Sequence, residues 1–145
     1  MSRGYAMIGL DNPKTDANVG GAMRAASVYQ AAGVVLTGNR VQYSTDTRKA
    51  YRHMPVIHGA CDLWQYVPYD CVPVAVDLVD DAVPLTEYVH PERAFYVFGA
   101  EDSTLGDRIL RWCRDRVYVP TAGCMNLAAT VNVVLYDRMA KRKQP

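Results

Sequence analysis

The first residues whose types and spacing could do chemistry run from Asn18 to Arg24, with the sequence Asn-Val-Gly-Gly-Ala-Met-Arg. Two adjacent glycines at the start of a predicted helix cost about 1 kcal/mol each relative to alanine, which indicates a need for bare backbone there. Arg24 follows Gly20 by one helical turn and shares its face. A guanidinium above free helix amides is suited to binding a phosphate or a carboxylate. The alternative interpretation, a tight packing contact of the helix, explains the two glycines equally well.

A carboxylate follows the clearest buried strand pattern. The motif Gly99-Ala100-Glu101 comes directly after the apolar run at 94–98. In open parallel sheets, ligands bind in the crevice beyond the carboxyl ends of the strands, so Glu101 is expected to face such a crevice. Ordinary turn chemistry, with Ser103 or Thr104 capping the next helix, is the simpler explanation of this segment taken alone.

A third segment joins a strand to the last helix. Val119-Pro120 ends an apolar strand, and small residues lead through Cys124 to Asn126, where an amphipathic helix begins. The first amides of that helix have no partner within it and are available to a ligand. Asn126 is a typical N-cap residue, and it can cap the helix while also facing a ligand.

These segments need a framework that brings strand ends together. Apolar runs at 5–10, 34–36, 72–79, 94–98 and 116–119 predict strands. Helices are predicted from Asp16 to about Ala32, with Gly33 as the C′ residue, over 104–114, and from Asn126 to Lys141. This alternation predicts an α/β fold with a mostly parallel sheet flanked by helices, in one domain spanning 1–145.

Composition narrows the class of protein. Hydrophobic residues make up 50% of the chain, which excludes disordered and collagen-like proteins. The net charge is +1, which excludes a strong overall positive potential that would attract nucleic acid. No apolar run reaches the roughly 20 residues of a membrane span and no signal-peptide pattern opens the chain, so we expect a cytoplasmic protein. Scattered cysteines and isolated histidines predict neither a disulfide framework nor a metal site. The common P-loop, dinucleotide and hydrolase motifs are missing.

One basic segment is the best candidate for a nucleic-acid contact. Its cationic residues are interleaved with two tyrosines: Arg40, Arg48, Lys49 and Arg52, with Tyr43 and Tyr51. Positive side chains attract phosphates, and aromatic rings stack on unpaired bases. A solvated basic loop is the alternative interpretation.

Taken together, the three segments resemble the motifs of the TrmH/SpoU branch of the SPOUT superfamily of RNA methyltransferases. Asn18, Gly20 and Arg24 match its early N-x-G-x-x-x-R, and Gly99-Ala100-Glu101 matches its G-x-E after a central strand. Val119-Pro120, followed by the run at 124–128, matches its strand end, S-x-N-x-S and long helix. The likeness spans Met7 to about Met139, and in size the chain is similar to the minimal tRNA ribose methyltransferases.

The resemblance implies a fold, a cofactor and an assembly. The implied fold is the SPOUT α/β-knot, with a deep trefoil knot in the C-terminal half and S-adenosylmethionine bound in the knot loops, without a metal. The implied assembly is a homodimer whose active site takes residues from both subunits. The side of the last helix that carries Asn132 and Tyr136 is then left for the partner.

The resemblance also implies roles for individual residues. The implied catalytic residues are Arg24, Asn18, Glu101 and Asn126. Because arginine is a poor base, we interpret Arg24 as a clamp on the adjacent phosphate that stabilises a developing alkoxide. The implied cofactor-binding residues are Val76, Gly99, Val119, Pro120, Cys124 and Leu127. Asp77 is a candidate contact for the cofactor's ribose, with a solvated carboxylate on an edge strand as the alternative.

The implied reaction is methyl transfer from S-adenosylmethionine to a ribose 2′-hydroxyl of RNA, with tRNA as the expected substrate and rRNA as the alternative. Cys124 and Ala128 stand where the family commonly has serines. Two other functions therefore stay open, an inactive RNA- or cofactor-binding module and a methyltransferase that acts on a base nitrogen. The presence of Arg24 and Glu101 favours an enzyme, and the early N-x-G-x-x-x-R favours ribose chemistry.

Overall fold

The structure, a computed structural model, describes residues 4–41 and 54–142. Within these ranges seven strands form one sheet in the order β3-β2-β1-β6-β4-β7-β5, and every neighbouring pair runs parallel. The strands are β1 (Tyr5–Leu10), β2 (Gly33–Leu36), β3 (Val56–His58), β4 (Val72–Val76), β5 (Val83–Pro84), β6 (Arg93–Phe98) and β7 (Asp115–Tyr118). The predicted α/β class with a parallel sheet is confirmed.

Helices cover both faces of this sheet. In the described part of the chain they are α1 (Asp16–Val28), α2 (Asp107–Leu110) and α3 (Leu127–Arg142), with 3-10 turns at Leu63–Tyr66 and Leu85–Glu87. Residues of α1 and α3 share one buried cluster with Ile8 and Tyr96, and residues of α2 share the other with Phe95. Burial on both faces explains why the central strands are apolar throughout. No helix in these ranges is long and apolar enough to cross a membrane.

Two helices are shorter than the sequence predicts. α1 ends at Val28, because Gln30 adopts a left-handed φ of 59° and the Ala32 amide already donates to the Ala6 carbonyl at 2.7 Å. Gly33 therefore opens β2 instead of capping a helix. The predicted helix over 104–114 is reduced to α2, and the chain after it forms tight turns before its Arg114 amide donates to the Pro73 carbonyl at 3.0 Å.

A buried polar network anchors the C-terminal half of α3. The Arg138 guanidinium, in a residue that is only 5% exposed, donates to the carbonyls of Pro91 and Glu92 at 2.7 and 2.6 Å and to the Tyr96 hydroxyl at 3.0 Å. His90 lies between the Tyr96 hydroxyl, at 2.7 Å from Nδ1, and the Asp137 carboxylate, at 2.6 Å from Nε2. The deep trefoil knot implied by the resemblance stays a prediction.

Candidate active site

A cleft of about 800 Å³ opens at the carboxyl ends of β4, β6 and β7. Its walls are the segments that follow these three strands, closed by the first turns of α3. This is the edge at which parallel α/β sheets bind ligands. All six residues predicted to hold a cofactor line it: Val76, Gly99, Val119, Pro120, Cys124 and Leu127. The structure brings them together as expected, and their binding role stays a prediction.

The charged side chains of this cleft are all acidic. Asp77, Glu101 and Asp102 line it, and no Lys, Arg or His among the described residues does. Asp102 is paired with Arg40, so Asp77 and Glu101 give the lining its negative charge. Phosphate groups are repelled by such a lining, whereas a ligand that carries positive charge is attracted. The cleft therefore suits a cationic or neutral ligand better than a nucleotide phosphate.

Asp77 fastens one wall of the cleft. Its Oδ2 accepts a hydrogen bond from the Leu105 amide at 2.8 Å, and its Oδ1 accepts one from the Leu78 amide at 2.8 Å. The interpretation of Asp77 as a solvated carboxylate on an edge strand is wrong, because β4 lies between β6 and β7. The side chain ties the loop after β6 to the end of β4.

Glu101 is the one predicted catalytic residue that lines the cleft. Its side chain is exposed, and Oε2 accepts a hydrogen bond from the Lys14 amide at 3.1 Å. Lys14 lies in the loop after β1, 87 residues earlier in the chain. The contact therefore joins the loop after β6 to the loop that leads into α1.

Asn18 connects α1 to α3. Its Nδ2 donates to the Thr15 hydroxyl at 3.0 Å, and its Oδ1 accepts from the Ala128 amide at 3.4 Å. Thr15 is the N-cap of α1, and its hydroxyl also accepts from the Asn18 amide at 3.3 Å. The carboxamide of Asn18 thus bonds Thr15 and Ala128 rather than Arg24. Its assigned catalytic role stays a prediction.

The glycine in the middle of the first motif is explained by packing. A Cβ placed on Gly21 would lie 2.6 Å from the Cβ of Ala128, a separation that real Cβ atoms do not tolerate. Of the two explanations for the glycines, the packing contact accounts for Gly21. The small Ala128 side chain and Gly21 together let α1 and α3 approach closely beside the cleft.

Arg24 lies in α1, apart from the residues that line the cleft. Its side chain is exposed on α1 and does not line the cleft. It makes no hydrogen bond or ion pair with any residue in the described ranges.

Asn126 caps α3, as predicted from its type and position. Its Oδ1 accepts from the Ala129 amide at 2.8 Å, and its carbonyl accepts from the amide and hydroxyl of Thr130 at 3.0 and 2.9 Å. The residue is exposed but does not line the cleft. One carboxamide atom is thus committed to the helix, and a direct part in catalysis stays a prediction.

Arg40 is engaged with the site loops. Its guanidinium makes a two-pronged ion pair with Asp102, at 3.0 and 3.2 Å, and donates to the Asn12 carbonyl at 2.7 Å. The guanidinium holds the pKa of the Asp102 carboxyl below its usual value. The predicted RNA contacts Arg48, Lys49 and Arg52, with Tyr43 and Tyr51, lie outside the described residues.

Sequence reasoning missed the partners of Arg40, because Asp102 lies 62 residues away and nothing in the sequence marks the pair. It also missed Thr15 as the cap of α1, which its type and its place before Asp16 could have indicated. As for metals, residues 4–41 and 54–142 contain no group of three or more His, Cys, Asp or Glu side chains placed to hold an ion.

The chain resembles a known protein family and several solved structures. The SpoU rRNA Methylase family matches residues 5–136 of the chain, whereas no curated protein matches the sequence significantly. The SpoU methyltransferase AviRb from Streptomyces viridochromogenes superposes with a TM-score of 0.85 at 18% identity, over 95% of this chain and 60% of that one. The AdoMet-bound rRNA methyltransferase from Sinorhizobium meliloti gives 0.84 at 19% identity, over 99% and 59%.

A third structure, which concerns the 2-OH methylation of C/U34 on tRNA, superposes with a TM-score of 0.82 at 19% identity, over 98% of this chain and 100% of that one. The chain thus spans about three fifths of the first two proteins and the whole of the third. At such identities the likeness shows a shared fold. The family match covers most of the chain and confirms the resemblance carried by the three motifs: the chain belongs to the SpoU rRNA methylase family.

Proposed function

We propose that the chain is an S-adenosylmethionine-dependent RNA methyltransferase that acts on a ribose 2′-hydroxyl. The observation that carries this proposal is the acidic cleft at the ends of β4, β6 and β7, in a chain of a methylase family. S-adenosylmethionine combines an adenosyl group with a positive sulfonium and has no phosphate. An acidic lining therefore favours it over ATP or a dinucleotide. The AdoMet-bound S. meliloti structure, which shares the fold, supports the same ligand.

The residues present fit such a cofactor. Gly99 after β6, Val119 after β7 and Leu127 at the start of α3 would supply backbone groups for an adenine, and the apolar residues Val76 and Phe98 line the same cleft. Cys124 keeps a small side chain and its backbone groups at the position of a family serine. When bound, S-adenosylmethionine would supply an electrophilic methyl group: the bond from carbon to the ribose oxygen would form as the bond from carbon to sulfur breaks, the electron pair would stay on the neutral thioether, and the hydroxyl proton would leave to water.

The chain's own residues must orient the hydroxyl and manage charge on its oxygen. Arg24 is the candidate for both, as a clamp on the phosphate next to the target ribose that also stabilises the developing alkoxide. Glu101, held by the Lys14 amide, lines the cleft and is the candidate to orient Arg24 or the cofactor. Asn18 fixes the helix that carries Arg24 against the first turn of α3.

We propose that the active site is completed by a second copy of the chain. The proposed catalytic residues Arg24 and Asn126 do not line the cleft of their own chain, and a second copy of the chain is the proposed source of these groups. The buried residues of α3 pack in the core of their own chain. On the other side of the helix, Val133 is 36% and Tyr136 57% exposed, and Asn132 is exposed as well. A homodimer that buries this side of α3 satisfies both observations.

The dimer is tested by sedimentation. Tyr136→Asp with Asn132→Asp places two charges on the proposed interface and should yield a folded monomer that binds cofactor and does not transfer methyl groups. Val28→Asp is the matched control, because Val28 is 67% exposed at the end of α1. It should leave the dimer intact. A wild type that sediments as a monomer while active would contradict the shared site.

We propose tRNA as the substrate. The structure that concerns 2-OH methylation of C/U34 on tRNA matches 98% of this chain and 100% of its own, which supports a substrate of that class. Methyl transfer to bulk tRNA and to rRNA, followed by mapping of 2′-O-methyl positions, tests the choice. Methylation found only on base nitrogens would favour the other enzyme class that the sequence leaves open.

Calorimetry on chelator-treated protein tests the cofactor. S-adenosylmethionine or its demethylated product should bind, and ATP should not. Cys124→Trp fills the cleft and should abolish binding, whereas Cys61→Trp, which alters an equally exposed cysteine outside the cleft, should not. No binding at millimolar cofactor would remove the proposal, and binding without transfer to any RNA would favour a binding module.

A further inference from the structure

Three loops converge on Arg40 beside the cleft. The guanidinium lies in the segment after β2, its ion-pair partner Asp102 in the loop after β6, and its carbonyl partner Asn12 in the loop after β1. Two strong bonds to one carboxylate fix both the position and the plane of the two groups. The planar guanidinium of arginine can make two parallel bonds to a carboxylate, which the ammonium of a lysine cannot. We call the contacts of Arg40 with Asp102 and Asn12 the junction.

The junction is reinforced by close packing of the backbone. Gly38 has a φ of 87°, and a Cβ on it would lie 2.1 Å from the Asn12 Oδ1, so only glycine fits there. The Asn12 amide donates to the Thr37 hydroxyl at 3.3 Å. The loop after β1 is thus held between the loops after β2 and β6.

The groups that this junction holds are those of the proposed chemistry. Glu101 is the sequence neighbour of Asp102, and its carboxylate accepts from the Lys14 amide in the same loop that ends at the Thr15 cap. Arg40 also neutralises one of two adjacent carboxylates at the cleft edge, where RNA phosphates must approach. Misplacement of either loop would move Glu101 relative to the cleft.

We infer that Arg40 is a positioning residue, which through Asp102 and Asn12 holds Glu101 and the start of α1 in place for methyl transfer. This rests on the proposed function. It differs from the direct RNA contact that the basic segment predicts, because the guanidinium has its partners within the protein. Positioning affects turnover, whereas a lost phosphate contact affects mainly the affinity for RNA.

The test uses the full chain and compares Arg40→Gln, Arg40→Asp and the exchanged pair Arg40→Asp with Asp102→Arg. Arg111→Gln is the matched control, because Arg111 is exposed and its side chain has no partner among the described residues. The readouts are kcat and KM for methyl transfer, and hydrogen exchange of the Lys14 amide followed by NMR, which reports the contact to Glu101 without any need for activity.

Arg40→Gln should lower kcat by about tenfold with KM changed by less than about threefold, since small displacements of reacting groups are costly. The Lys14 amide should exchange about tenfold faster as its bond to Glu101 is lost. Arg40→Asp should be worse in both measurements, and the exchanged pair should recover at least about threefold of each by restoring the attraction. Arg111→Gln should match the wild type.

Arg40 as an RNA contact predicts the reverse: a raised KM at constant kcat, an unchanged Lys14 amide, and no recovery in the exchanged pair, because position 40 stays acidic. Any one of these three results would overturn the inference. Failure of the proposed function looks different, as a wild type that binds no cofactor and methylates no RNA. In that event the exchange rate of Lys14 in the same variants still decides whether Arg40 holds the loops.

Discussion

The two ends of α3 are built in opposite ways. At the cleft end Ala128 packs closely against Gly21, the cap Asn126 is exposed, and the Ala128 amide donates a 3.4 Å hydrogen bond to Asn18 of α1. At the other end, Arg138 makes three hydrogen bonds of 3.0 Å or less, and Lys141 donates to the carbonyls of Leu85 and Tyr88 at 2.6 and 2.8 Å. The C-terminal end of α3, with Arg138 and Lys141, is therefore held by hydrogen bonds far from the cleft, and we call it the fastened end. The cleft end depends on close packing.

The fastened end also has a defined direction of hydrogen bonding. An arginine can only donate, so the Tyr96 oxygen accepts from Arg138 and its hydroxyl hydrogen goes to His90 Nδ1. His90 is then the neutral tautomer whose Nε2 hydrogen goes to Asp137. Burial lowers the pKa of His90 and raises the pKa of Tyr96 to about 12. With this tautomer, each of these donors has an acceptor within the network.

The largest expected effect breaks the fastened end. Arg138→Met keeps the apolar stem but removes the charged donor to the Pro91 and Glu92 carbonyls and to the buried Tyr96 hydroxyl, and should cost about 3 kcal/mol in the free energy of unfolding. Urea unfolding measures it, with Arg111→Met as the control at an exposed arginine. The affinity of the folded protein for the cofactor should not change. A loss below about 1 kcal/mol would show that the network does not carry the stability assigned to it.

A slightly smaller effect is expected at the cleft side, in activity rather than stability. Arg24→Ala should lower methyl transfer by about 10²-fold, the scale of losing one electrostatic stabiliser, with unfolding and cofactor affinity unchanged. Arg24→Lys should also be poor, because a point charge does not replace the two-pronged guanidinium. Turnover on tRNA and calorimetry, run on all three proteins, decide it. Near-wild-type activity of Arg24→Ala would remove Arg24 from the mechanism.

The smallest expected effect sharpens the comparison by pH. The side chain of His90 is 1% exposed, and burial holds its pKa below the ordinary 6.5 despite the bond to Asp137. The unfolded chain therefore binds more protons just below pH 6.5, so stability from neutral His90 is complete above that pH and is lost as the pH falls. The loss is at most about 1.4 kcal/mol per pH unit.

Urea unfolding from pH 7.5 to 5 measures this loss, with His90→Gln as the comparison. The variant should have lower stability at neutral pH and a flatter dependence on pH in the same interval. Equal slopes in the two proteins would mean that His90 does not titrate on unfolding. Because no histidine is among the described residues that line the cleft, cofactor affinity in the folded protein should not follow the same curve.

The parts of the fold that could be predicted are those with strong periodicity. Apolar runs gave β1 and β6 nearly to the residue, and the helical repeat gave α3 within one residue at each end. The edge strands β3 and β5 were missed because they are three and two residues long and carry no apolar run. The burial of Arg138 was missed as well, since an arginine near a helix end is usually solvated.

The candidate site could be predicted where residues lie in order along short loops. The six cleft residues were found because each follows a strand or begins a helix at a motif position. The contacts between loops were not found, because pairs such as Arg40 and Asp102 or Lys14 and Glu101 are set by strand order. That order places β1 next to β6, which no local pattern encodes.

The neighbours of β1 have a consequence for how the chain folds. Tyr5 is in register with Arg93 and Leu10 with Phe98, so the first strand acquires its second neighbour only when residues near 98 have been synthesised. Until then one edge of an entirely apolar strand stays open. Parallel pairings between distant segments close slowly and expose such edges to other chains. The nascent protein therefore passes through an aggregation-prone stage that ends when β6 enters beside β1.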